Sequence, residues 1–219
     1  MDMIYQAGPL VAVLFFVSIL TIAFALERFW ALNLARGKIP SDKVLPRIKE
    51  SIEDRDLDAA EETAEEQLGS VGRVLAAGIK KYKALTGRLA ERGLRNELNL
   101  ALQEANVMEG ALLERNIIPI ATIGSIGNLI GLLGTVVGMI QSFAAISATG
   151  VGEKIAATKL AQGIATALIN AAGGLIVAIM AVMFYNYFLS RIDKLVFSME
   201  EASANLVDYC LLSERKLKS

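Results

Sequence analysis

The sequence predicts an all-α integral membrane protein: three transmembrane helices, long helical extensions on the cytoplasmic side, and assembly into a homo-oligomeric bundle. Three observations lead there. The 219 residues are 54% hydrophobic and only 21% charged, and the mean hydropathy is +0.47, too apolar for an ordinary soluble domain. Three stretches, residues 8–26, 116–152 and 160–190, contain no charged side chain, and about 20 apolar residues cross a hydrocarbon core. The second and third stretches also carry rows of small and polar side chains, which acyl chains do not reward and which therefore ask for protein neighbours.

The first segment, residues 1–27, reads as a periplasmic end followed by span one. Only Asp2 precedes the apolar run, which closes on "ALERFWAL", so it reads as a retained span and not a cleaved leader. Residues 28–115 form a cytoplasmic helical domain. Within it, Ser41 and Asp42 open a helix "SDKVLPRIKESIED" that Pro46 kinks or delays. "LDAAEETAEEQLG" and "SVGRVLAAGIKKYKAL" follow, and from Gly87 a helical pattern runs on toward the membrane. No strong stop precedes span two, so this helix is expected to enter the bilayer, with Pro119 able to bend it. Residues 116–152 hold span two and the start of a periplasmic loop, and 153–190 the end of that loop and span three. Residues 191–219 continue span three as a cytoplasmic helical tail.

Orientation follows from the cations. Arg28, Arg36, Lys38, Arg115, Arg191 and Lys194 flank one side of the three spans. The loop on the other side has Lys154 and Lys159 offset by Glu153. The N-terminus is thus expected outside and the C-terminus inside. Trp30 and the tyrosines at 185 and 187 suit interfacial depths. The acidic run from Glu50 to Glu66 reads as a solvated helix face, and Lys80 to Lys83 gives only a weak lipid signal.

Span two contains "GSIGNLIGLLGTVVGMIQS". Its Gly124, Gly127, Gly131, Gly134 and Gly138 are spaced three and four apart, which makes one helix stripe suited to close backbone packing. A dinucleotide-loop reading fails, because no strand precedes it. Ser125, Asn128, Thr135 and Ser142 form a second row. In span three, Thr158, Gln162, Thr166, Asn170 and Gly174 recur every four residues, with Gly163, Gly173 and Gly174 as close-packing positions. Any single hydroxyl could simply bond a neighbouring helix. Two coordinated rows favour a polar-lined interior, and three helices cannot enclose one, so an oligomer, a partner or both are implied. A smooth glycine surface would also let an inner subunit turn without large steric barriers.

Several classes are excluded. Histidine is absent and Cys210 is the only cysteine, so a His/Cys zinc site and an internal disulfide are ruled out. A net charge of −1 carries no nucleic-acid signature. No nucleophile–base set, phosphate loop or cofactor motif appears, so the chain reads as no enzyme and calls for no cofactor. No ionisable residue lies inside a span, yet proton pathways usually need one. If protons cross here, a partner brings the titrating group.

"GLLGTVVGMIQSF" and "QGIATALINAAGGLIVAIMAVMFYNYF" resemble the MotA/TolQ/ExbB proton-channel family, the ExbB/TolQ branch above all. "ALERFWAL", the three spans and the cytoplasmic insert fit as well. The resemblance implies a pentamer in a bacterial inner membrane, around single-span ExbD- or TolR-like subunits whose membrane Asp carries the protons, driving a TonB- or TolA-like protein. It implies that Thr135 lines the interior near that Asp. Where the family often has Glu, Thr and Pro, this chain has Thr166, Ala171 and Met180. The expected path lining is therefore Thr135, Thr166, Asn170, Gln162, Ser142 and Asn128. The expected packing positions are Gly124, Gly127, Gly131, Gly134, Gly138, Gly173 and Gly174. A TonB-type role ranks before a Tol-type role. A MotA-like stator, usually four spans, and a passive scaffold held by polar glue are the rivals.

Overall fold

The computed structural model describes residues 9–88, 90–147 and 153–218, and among them every regular element is a helix. The order is α1 (Pro9–Ala35), α2 (Ser41–Glu53), α3 (Leu57–Glu66), α4 (Ser70–Leu85), α5 (Glu91–Glu114), α6 (Ile118–Ser147) and α7 (Glu153–Lys218). Three of these stretches are long and apolar enough to cross a bilayer: α1, α5 with α6, and α7. The N-terminal segment with Asp2 and the loop 148–152, both expected on the periplasmic side, lie outside the described residues, as do the side chains of Glu153 and Lys154. Lys159, expected in that loop, is already on α7.

The chain divides into two compact units. The first takes residues up to Glu27 and from Asn116 to Tyr187; the second takes Arg28 to Arg115 and Phe188 onward. In the first unit α6 and α7 run antiparallel along the glycine stripe. Gly124 faces Ala181, Gly127 faces Val177, Gly131 faces Gly174, Gly134 faces Asn170 and Gly138 faces Ala167. The approach is close because no Cβ intervenes: one built on Gly131 would stand 2.9 Å from Gly174 Cα. In lipid, such backbone proximity supplies the dispersion that holds helices together. α1 buries Leu14, Val17, Thr21 and Ala25 along one face, and Leu14 lies against Gly173 of α7.

The second unit has a conventional apolar core. Val44, Ile48 and Ile52 of α2, Leu75 and Ile79 of α4, Leu94, Leu98 and Leu102 of α5, and Ile192, Met199 and Leu206 of α7 are all essentially inaccessible. Gly78 lets Leu102 and Leu206 meet over α4, where a Cβ would come within 2.7 Å of both side chains. Pro46 sits inside α2 without ending it. Ser41 opens the helix but makes no side-chain cap; Asp56 does cap α3, its carboxylate accepting the Ala59 N–H at 3.0 Å.

Gln67 joins the two connections of this unit. Its Nε2 donates to the carbonyls of Arg36 (3.1 Å) and Ile39 (3.2 Å), and its Oε1 accepts from the N–H groups of Gly69 (2.8 Å) and Gly72 (2.9 Å). Every polar atom of the buried amide is thus engaged, as burial requires. Gly37, at φ +75°, leaves the space the amide fills.

One expectation changes. The helix from the insert does not run unbroken into span two: α5 stops at Glu114, a turn occupies 115–117, and α6 begins at Ile118. Pro119 has no N–H to give and crowds the carbonyl four residues back, which accounts for the break. The acidic run stays a largely solvated face, with the Asp58 and Glu65 side chains 82% and 58% exposed, and it carries surface ion pairs. Lys80 pairs with Glu65 (2.9 Å) and Glu61 (3.4 Å), and Lys83 with Asp58 and Glu61. The same contacts occupy the basic cluster, and Lys81 pairs with Glu97 at 2.8 Å.

Candidate functional site

The expected path residues do not share one face of a single chain. Asn128 and Gln162 are exposed, Thr135 and Thr166 half-buried, and Ser142 and Asn170 buried. The physical reason is helical drift. Residues four apart on a helix of 3.6 residues per turn rotate by about 40° at each step. The row from Thr158 to Gly174 therefore winds from the outer surface of the chain into the seam with α6. Asn170 ends against Gly134, and Ser142 of α6 lies against Gly163.

The hydroxyls in α6 bond back to their own helix. Thr135 Oγ1 donates to Leu132 O at 2.6 Å, Ser142 Oγ to Gly138 O at 2.7 Å, and Ser125 Oγ to Ala121 O at 3.2 Å. Each proton is thus satisfied locally, while the oxygen keeps lone pairs that can accept from another group. Thr135, at the edge of the glycine seam, is the one of these that is both partly accessible and centred within its span.

The glycine stripe is occupied. Gly124, Gly127, Gly131, Gly134 and Gly138 all face α7 of the same chain, and Gly174 meets Gly131 from the other side. The surface expected to let an inner subunit slide is consequently closed by α7.

Sequence reading missed two buried polar groups. Thr21 of α1 is 0% exposed and donates to Val17 O at 2.9 Å; a hydroxyl in an apolar run, which it shares with Ser18, was its only signal. Arg28, 5% exposed, donates to Leu113 O at 3.0 Å, a carbonyl at the open end of α5. Nothing local in the sequence marks that acceptor. Outside the spans, the Arg73 guanidinium grips Glu109 through two bonds of 2.7 and 2.6 Å, which raises its already high pKa. Burial, with Glu214 nearby, pushes the Cys210 thiol up to about 12.

The pattern recurs in known proteins. The family model for the MotA/TolQ/ExbB proton channel family matches residues 65–201. A putative biopolymer transport protein ExbB-like 1 of Synechocystis is 31% identical over 87% of this chain and 70% of its own length. The Tol-Pal system protein TolQ of Haemophilus influenzae is 34% identical over 67% of this chain and 59% of its own. The biopolymer transport protein ExbB of Pseudomonas putida is 29% identical over 85% of this chain and 53% of its own. The alignments thus take in little more than half of the last two relatives. Three apolar helices, charge-free membrane stretches bearing hydroxyls and amides, and a match across most of the chain place this membrane protein in the MotA/TolQ/ExbB proton channel family, in its ExbB/TolQ branch.

Proposed function

We propose that the chain is the multi-span subunit of a proton-driven machine in a bacterial inner membrane, with its N-terminus periplasmic and its C-terminus cytoplasmic. Copies of the chain, five by family resemblance, surround a single-span ExbD- or TolR-like partner. The partner contributes a membrane carboxylate, and the work passes to a TonB-like protein that energises outer-membrane transport. The observation that carries this reading is an absence within a proton-channel family: residues 116–152 and 160–190 hold no Asp, Glu, Lys, Arg or His. A proton crossing hydrocarbon needs a titrating relay, so the relay comes from elsewhere.

This chain's part is the lining. Thr135 keeps lone pairs that accept from a protonated carboxyl, and the half-buried Thr166 and exposed Gln162 and Asn128 extend a polar surface that neighbouring copies complete. Asn170 and Ser142 act from within the α6–α7 seam, setting its spacing. Each proton entering down 100 mV releases about 2.3 kcal/mol, enough to bias a bistable interface between lining and partner. A Tol-type task is the second reading, favoured by the TolQ relative.

Thr135→Val tests the assignment, measured as proton flux in vesicles holding the chain together with its partner. Loss of a hydrogen bond from a neutral carboxyl predicts a fall of about two- to ten-fold, with Thr135→Ser close to wild type and assembly unchanged. Undiminished flux in Thr135→Val removes Thr135 from the path. Normal assembly with no flux in any variant, wild type included, leaves the passive scaffold.

A further inference from the structure

Where α1 leaves its uncharged stretch, its apolar surface does not end. Leu26 is followed by Glu27 and Arg28, which would normally mark the edge of a span. Here only Arg28 is turned inward, buried on Leu113 O, while Glu27 stays exposed and accepts from Asn116 Nδ2 at 3.4 Å. Beyond them α1 continues to Ala35 and exposes Phe29, Trp30 and Leu34, the last two at 81% and 75%. In the same unit α5 runs beside this extension. Arg28 fixes α1 at Leu113. Farther along, Ala35 meets Gly69, which opens the helix whose Arg73 holds Glu109. Over that stretch α5 exposes Val107, Met108 and Leu112. Just past α1 come Arg36 and Lys38, exposed and making no ion pair among the described residues.

We propose that these two helix segments form an apolar collar seated in the headgroup layer of the bilayer, with Arg36 and Lys38 meeting the phosphates of anionic phospholipid. Trp30 lies four residues past Leu26, roughly 6 Å at 1.5 Å per residue. The polar layer of one leaflet extends about 5–8 Å beyond the hydrocarbon, so Trp30 falls within it and Leu34, roughly 12 Å past Leu26, lies beyond it toward the water. An amphipathic indole is most stable at that depth. Long basic side chains reach from there to anionic headgroups. Exposed apolar residues follow one another along α1, Ile22 and Leu26 before the charged pair and Phe29, Trp30 and Leu34 after it, so the lipid at the end of the span is within reach of the collar. The inference does not depend on the proton-path reading, only on the chain spanning a membrane.

Trp30 is the only tryptophan, so its fluorescence reports on the collar alone. The full chain is reconstituted by itself in phosphatidylcholine vesicles carrying spin labels at the headgroup, high on the acyl chain or deep in it. The expected result is strong quenching by the two shallow labels and little by the deep one. Quenching by aqueous iodide with none by lipid labels overturns the proposal, placing Trp30 in water. Quenching by neither also overturns it, placing Trp30 under a second copy or another protein. For the phosphate contact, spin-labelled phosphatidylglycerol is compared with spin-labelled phosphatidylcholine. The anionic probe should be favoured roughly five-fold for each cation close to the surface, and Arg36→Gln with Lys38→Gln should bring the ratio to one. Equal quenching by both probes in the wild type overturns the anionic contact.

Discussion

At the residue scale, the molecule depends on polar groups whose partners are main-chain atoms. Gln67 is the clearest case, because its amide closes four backbone hydrogen bonds between two connections. Gln67→Leu leaves buried carbonyls and N–H groups without partners. It should destabilise the second unit by about 3 kcal/mol, read as a lowered melting temperature of the detergent-solubilised protein by circular dichroism; an unchanged melting temperature would show the connections to be held otherwise. Cys210 gives a pH-dependent expectation. Its thiol has an ordinary value of 9.0 and is raised to about 12 in the folded chain. The unfolded chain therefore loses the proton first. Stability from this group is full below the unfolded pKa and drains as pH rises from about 9 toward 12, by at most about 1.4 kcal/mol per unit. Cys210→Ala should flatten that limb of the stability profile, and the native thiol should resist alkylation at pH 8. Neither residue's role was legible in the sequence. Gln67 bonds carbonyls 28 and 31 residues away, and Arg28 one 85 away; such partners leave no local pattern.

At the scale of elements, periodicity was informative where one face of a helix meets one neighbour. The sequence expectation "SVGRVLAAGIKKYKAL" coincides with α4, Ser70–Leu85. The glycines of α6 recur every three or four residues and lie on a single seam. The row in α7 differs, because a strict four-residue spacing is not a stripe on a 3.6-residue helix but a slow spiral. Gly131 and Gly110 make the contrast testable. Gly131→Leu drives side-chain atoms into Gly174 and the Asn170 carbonyl, and should abolish the α6–α7 seam, seen as loss of monodisperse protein after extraction. Gly110 stands in α5 where an added Cβ would meet nothing within 4 Å. Gly110→Ala should stabilise by about 0.5–1 kcal/mol through helix propensity. A Gly131→Leu protein as well behaved as the wild type would mean that the seam tolerates separation.

For the molecule as a whole, three spans and a helical insert were legible because hydrocarbon demands long uncharged stretches. The turn at 115–117 was less so, since Pro119 announces a bend without saying whether the helix survives it. The path residues were legible only as a set of polar groups in the wrong solvent. Their distribution over exposed, half-buried and buried positions shows that they do not share one face of a single chain.

The account's central claim is that this chain conducts no protons by itself and supplies a lining for a carboxylate borne by another subunit. Proton flux into vesicles under an imposed potential tests it most directly, with the chain reconstituted alone, with its single-span partner, and with that partner's membrane Asp changed to Asn. Flux should appear only with the unaltered partner. Equal flux from the chain alone, or from the complex lacking the Asp, would contradict the claim.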